Sequence, residues 1–370
     1  MSHSHSTITQ DKLFLSLLLV GFVALFFNPW LSTLLAPDAA EQILSGQSSQ
    51  GNRWRENFST YFIAITLEAA PFMIMGTLAS ALIELFVPAG FLPNMAKRLG
   101  FLGIPAVVLA SPLFPICECG VVPVARRLLK KGLPLPHTLA YLLAAPIFNP
   151  VVLMGTWLAF YKDPIYPMLR GLGGVMVAIV VALLFYHYGR RRALIHAEAF
   201  EPAPATLIPI EIAQKKRSLP QRLAGIWRDL AFHVREDFLE ITPYFLFGVF
   251  LASCMKTFIP QESLFQWGGD PLVGPAIMMA AAFVMSLCSE ADAFLAASFV
   301  EFDVVSHMAF LVLGPMLDIK LLLMYSALFR ARFIVLFSLA IILATSLFLL
   351  FMDKVLWGQL DLLMGGGAML

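Results

Sequence analysis

The stretch FIVLFSLAIILATSLFLLF, residues 333–351, contains no charged side chain and no proline. It is apolar on every side, so the period-two alternation of a barrel strand is absent. A helix of this length rises roughly 28 Å, close to a hydrocarbon core about 30 Å thick. Similar apolar blocks recur along the chain of 370 residues, which is 59% hydrophobic, 13% charged and has a mean hydropathy of +0.81. A water-soluble core of this size could not hide so much apolar surface. The expected fold class is therefore an all-α polytopic membrane protein with about 8–10 membrane segments, and its first partner is the lipid bilayer. The net charge of +1 lacks the clustered basic face that nucleic-acid binding needs.

Working backward from residue 351, apolar helices are expected over 307–329, 238–259, 165–188, 137–160 (interrupted by Pro146 and Pro150) and 58–87. Two further apolar regions, 101–129 and 271–300, read as broken. In the first, Ser111-Pro112-Leu113-Phe114-Pro115 and Cys117-Glu118-Cys119-Gly120 interrupt any continuous helix. The run 13–35 exceeds a signal-peptide core in length and reads as a retained membrane helix. His3 and His5 before it read as a polar tail. The hydrophilic segment 189–235 carries Arg190-Arg191-Arg192 and Lys215-Lys216-Arg217 and reads as a cytoplasmic linker. The expected division is thus 1–57, a first repeat 58–188, the linker 189–235, a second repeat 236–352 and a tail 353–370.

The two halves align residue by residue. Leu67-Glu68 and Pro71 match Leu239-Glu240 and Pro243; Gly76 matches Gly248, Phe86 matches Phe258, and Pro88 matches Pro260. After small shifts, Cys117 falls on Cys288, and Pro146 with Asn149 falls on Pro315 with Asp318. Lys97, Arg98, Arg126, Arg127, Lys130 and Lys131 flank the first broken region, whereas Glu262, Asp270, Glu301 and Asp303 flank the second. Because Lys and Arg mark cytoplasmic loops, the expectation is two re-entrant hairpins entering from opposite sides, related as inverted repeats. Arg53, Arg55, Lys162 and Arg170 fit that pattern less well.

Irregular backbone at membrane depth is tolerated only where it lines protein or a watery cavity, so the breaks are candidate solute sites. Cys117 and Cys119, joined by Cys288 from the second half, offer three soft ligands suited to Cu(I), Zn(II) or trivalent arsenic. Glu118, Glu290, Asn149 and Asp318 are the remaining substrate-binding candidates. Glu68, Glu240 and Asp292 are ionisable residues in or near membrane segments and are candidates for coupling-ion binding. Lys320 is close enough in sequence to neutralise Asp318. Cys254 reads as a packing residue, and His137 and His307 as anchors. All four cysteines are expected as free thiols. No P-loop of the form GxxxxGK[ST] occurs, so energy would come from an ion gradient or a separate subunit.

The sequence Pro115-Ile116-Cys117-Glu118-Cys119-Gly120-Val121-Val122-Pro123, with Ala145-Pro146-Ile147-Phe148-Asn149-Pro150 downstream, resembles the ArsP-type permease family. The likeness runs from about residue 57 onward. It implies a non-enzymatic secondary permease of a bacterial inner or plasma membrane, without a cofactor, in which Cys117 and Cys119 ligate the solute. The best-known members of that family export trivalent organoarsenicals, which implies efflux. The glutamate between the cysteines makes this site harder and more anionic than a Cys-Ser-Cys version, so a divalent metal such as zinc stays open beside the arsenical. A membrane subunit of a multi-component permease complex, or a homo-oligomer, is compatible with the same features. A membrane thiol oxidoreductase would need a Cys-x-x-Cys pair, which the chain lacks.

Overall fold

The computed structural model describes residues 50–88, 90–113, 116–186, 219–258 and 273–357. The apolar run 13–35, most of the 189–235 linker, Glu262 and Asp270, and nearly all of the tail lie outside them. Helices, in chain order, are α1 (Gln50–Phe86), α2 (Phe91–Leu99), α3 (Gly103–Ala110), α4 (Glu118–Lys130), α5 (Leu135–Ala144), α6 (Pro150–Ala159), α7 (Ile165–Leu184), α8 (Leu219–Phe258), α9 (Val273–Met285), α10 (Asp292–Ala297), α11 (Val304–Leu313), α12 (Ile319–Ser326) and α13 (Ala331–Phe351). Short 3-10 turns, Gly100–Leu102 and Ser111–Leu113, flank α3. No strand occurs among the described residues.

Among the described residues, five stretches are long and apolar enough to cross a membrane: Asn57–Phe86, Phe91–Leu113, Ile165–Leu184, Arg228–Thr257 and Ala331–Lys354. The helices α5, α6, α9 and α11 are apolar but shorter. At 1.5 Å per residue, α5 and α6 are each about 15 Å long, so only the pair together has the length of one span.

By contacts the chain divides into two units, Met1–Ala64 and Ile65–Leu370. In the first, Phe58 stacks on Phe62 with ring centroids 6.1 Å apart. The second unit holds every candidate site residue. Its most extensive helix pairs are α8 with α12, α9 with α11, and α5 with α7. The order α3 to α7 is followed again by α9 to α13, and the packing of α3 on α5 and α5 on α7 has its counterpart in α9 on α11 and α11 on α13.

The structure moves several expected boundaries. The helix expected from 238 begins at Leu219, so that residues 222–238, which read as a possible amphipathic helix at the end of the linker, are continuous with it. The helix expected over 307–329 is split by Gly314-Pro315 into α11 and α12. Both follow-on helices are capped alike. The Asn149 side chain accepts from the Val151 amide at 3.0 Å, and Asp318 accepts from the Leu321 amide at 2.6 Å.

Several charges counted as loop markers are helical and paired instead. Arg127 is buried in α4, and its Nη2 donates to both carboxylate oxygens of Asp237 of α8, at 2.7 and 2.8 Å. Ser80 donates to the same carboxylate at 2.6 Å, and Glu84 is 3.3 Å from both Arg127 and Lys131. Arg126 pairs with Glu240. Arg170 is fully buried in α7. Charges fixed by such partners carry little information on which side of the membrane they face.

Candidate functional site

The first break follows the 3-10 turn Ser111–Leu113, in which Pro112 denies the backbone a continuous helix. Cys117 takes an extended conformation as the N-cap of α4, and its carbonyl accepts from the amides of Gly120 and Val121. Glu118 and Cys119 therefore occupy the first turn of α4. Close approach of α1 seats this turn: a Cβ placed on Gly76 would come 2.4 Å from the Gly120 Cα, so only glycine fits.

The second break follows α9. Ser286 has φ +45°, a left-handed conformation rare outside glycine and concentrated at functional sites. Its Oγ accepts from the Ile319 amide at 3.2 Å, tying the break to the start of α12. The Cys288 carbonyl then accepts from the amides of Ala291 and Asp292, which turns the chain into α10.

The two breaks meet. The sulfurs of Cys117, Cys119 and Cys288 lie within 4.8 Å of one another, and all three residues are buried and free of disulfides. A zinc–thiolate site with bonds of about 2.3 Å needs sulfurs roughly 3.8–4.0 Å apart, so closing on a soft ion takes less than about 1 Å of movement. A second triple, Glu118, Cys288 and Glu290, meets the same 4.8 Å limit, so one edge of the thiol cluster is carboxylate.

Glu118 does more than offer a ligand oxygen. It is fully buried; its Oε1 lies 3.0 Å from the Lys320 ammonium, while Oε2 accepts from the Ser289 hydroxyl at 2.8 Å and the Ser289 amide at 3.3 Å. One carboxylate thus binds the first break to the second and to α12. Lys320 also donates to the Ser286 carbonyl at 3.3 Å and lies 3.6 Å from Asp318 Oδ2.

Asp292 stands beside this group but is committed elsewhere. Arg170 grips it with both terminal nitrogens and also donates to Thr156 Oγ1 at 2.8 Å and the Ser289 carbonyl at 3.1 Å. Glu68 is half-buried in α1, within electrostatic reach of Lys320, Glu118 and Lys256. Glu240 is apart from the cluster, on Arg126. Asn149 is buried and caps α6. Cys254 is half-buried and outside both ligand triples. His137 and His307 hold the carbonyls of Gly100 and Phe299, each at 3.1 Å, and His307 also packs on Phe160 and Tyr166.

Sequence reasoning missed Ser289 and Arg170 as parts of this region and gave Lys320 only Asp318 as a partner. Arg170 and Lys320 each interrupt an apolar run, and a charge at membrane depth is a functional candidate by default. That signal was available. The contact of Ser289 with Glu118, 171 residues away in the chain, had none.

The model of the ArsP_1 family, described as a predicted permease, matches residues 55–353. The chain belongs to this predicted permease family. Among curated proteins it is 36% identical over 293 residues to the UPF0718 protein YcgR of Bacillus subtilis, covering 78% of this chain and 95% of that one. It is 33% identical over 277 residues to a Streptococcus mutans protein described as a two-component membrane permease complex subunit, covering 75% of this chain and 88% of the relative. The UPF0718 protein YraQ of Escherichia coli is 20% identical over 286 residues, 75% of this chain and 74% of its own length. No solved structure matches. With its five span-length helices and bacterial relatives, this permease-family chain is a multi-pass bacterial membrane protein.

Proposed function

We propose that the chain is a secondary permease that binds a soft, thiol-seeking solute at the meeting point of its two breaks and exports it, driven by an ion gradient. The observation that carries this reading is the convergence of Cys117, Cys119 and Cys288 within 4.8 Å in a buried setting. Thiolates select soft ions and trivalent arsenic over hard cations, and the Glu118–Cys288–Glu290 edge adds harder oxygen ligands that suit a divalent metal such as zinc. Glu68 and Glu290 are the carboxylates available for coupling-ion binding. The matched order of α3 to α7 and α9 to α13 supports two repeats, and the acidic flank at Glu301 and Asp303 against the exposed Lys97 and Arg98 supports their inversion.

The test is transport of zinc(II) and of a trivalent organoarsenical in sealed vesicles containing only this chain. Transport of either that is lost in Cys117→Ser and Cys119→Ser is expected. Full activity of the double variant would end the thiol-site reading. A second reading, a membrane subunit of a multi-component permease complex, draws on the description of the Streptococcus relative; transport by the chain alone would exclude a need for a partner.

A further inference from the structure

Lys320 is a cation in an unfavourable place. It is the second residue of α12, where the helix dipole presents positive charge, and it is 1% exposed. An ammonium stays there only if fixed anions and carbonyls replace its water shell. Two carboxylates are within reach, on opposite terms. Glu118 Oε1 is at hydrogen-bond distance, 3.0 Å. Asp318 Oδ2 is 3.6 Å away, is buried, and accepts no hydrogen bond among the described residues, although its partner oxygen caps the helix. A buried acceptor left open beside a charged donor is costly unless something uses it.

The backbone cannot supply the motion. The packing of α8 holds it, since a Cβ on Gly248 would come 2.8 Å from the Lys320 Cα. The ammonium at the end of a flexible four-carbon stem can move by the fraction of an ångström required.

We propose that Lys320 is a two-position counter-cation: its ammonium rests on Glu118 when the site is empty and shifts to Asp318 Oδ2 when a cationic solute takes Glu118. This rests on the thiol-site reading above and narrows its solute class. Within the triad, two carboxylates against one ammonium leave one negative charge. A divalent cation that takes Glu118 Oε1 as a ligand displaces the ammonium, which then needs Asp318 Oδ2. A trivalent arsenical condensed with two thiols, releasing water, is itself neutral, makes no demand on Glu118 and leaves the ammonium where it rests. The device therefore favours a soft divalent cation and makes Asp318 a specificity-determining residue that acts through Lys320. No step in it needs a change in the ionisation of Lys320.

Asp318→Asn separates this role from helix capping, because asparagine caps as well as aspartate. The measurement is binding to full-length protein in detergent of two probes, zinc(II) ion against a chromophoric chelator and phenylarsine oxide. Zinc affinity is expected to fall at least about tenfold with the arsenical unchanged, and Asp318→Glu, which keeps the charge, to recover it. Zinc affinity within about threefold of wild type, or equal loss of both probes, would overturn the proposal. Wild-type protein that binds neither probe would sink the thiol-site reading itself, and this inference with it. Should Asp318→Asn fail to insert, the structure of zinc-loaded wild type decides: Nζ on Asp318 Oδ2 supports the shift, and Nζ still on Glu118 refutes it.

Discussion

Arg170 holds Asp292 in a two-pronged pair, Nη1 to Oδ1 at 2.9 Å and Nη2 to Oδ2 at 2.7 Å, and so joins α7 of the first half to α10 of the second. Both side chains are buried. The same guanidinium donates to the Ser289 carbonyl, so the pair also braces the loop that presents Cys288.

Breaking this pair from one side leaves an uncompensated buried charge. Arg170→Met or Asp292→Asn should therefore destabilise the protein by about 3–5 kcal/mol. The double variant Arg170→Met/Asp292→Leu should recover much of that loss. Thermal unfolding in detergent measures both, and a double variant as unstable as the worse single one would show that the pair is required for something beyond charge balance.

Cysteine substitutions should sort by position. Cys117→Ser, Cys119→Ser and Cys288→Ser are each expected to cut vesicle transport at least about tenfold while insertion is retained, because a serine hydroxyl is a hard and weakly acidic replacement for a thiol. Cys254→Ser should transport like wild type. Loss of transport in Cys254→Ser alone would move the site.

The contact of α1 with α4 depends on two glycines. Gly76→Leu would drive side-chain atoms into the Gly120 backbone and force the helices apart, an overpacking cost of about 1–3 kcal/mol or more. The expected result is a lowered melting temperature together with weaker zinc binding, since Gly120 directly follows Cys119. Unchanged melting would mean that α1 can shift freely.

Asn149 can be tested as a cap against a ligand. Asn149→Asp and Asn149→Ser preserve an acceptor for the Val151 amide and should keep both stability and transport, whereas Asn149→Ala should cost about 1 kcal/mol. A transport defect in Asn149→Ser with stability intact would assign it the role of a solute ligand.

Much of the architecture was legible because lipid imposes a simple rule on local sequence. Residues 333–351 and most of 165–188 have to be helical when no water is present to satisfy the backbone, and α13 covers the first while α7 covers the second as far as Leu184. The prolines at 112, 115 and 146 read as breaks for a similarly local reason, the loss of an amide donor and a ring clash, whereas Pro315 lay inside an expected helix that the structure splits. The boundary of α8 was harder to see. Residues 222–238 read as a possible amphipathic helix inside a polar linker, and their continuity with the apolar segment that follows was not legible.

Sequence by itself determined the membrane helices, the two interrupted regions and the soft character of Cys117, Cys119 and Cys288, since each of these follows from the chemistry of a short stretch. Tertiary structure alone decided how the charges are spent. Glu118, at the edge of the thiols, also holds Lys320 and Ser289, and Asp292 holds Arg170. A buried charge is stable only beside its counter-charge. Those partners lie more than a hundred residues apart in the chain, so they are fixed by helix packing and by no local signal.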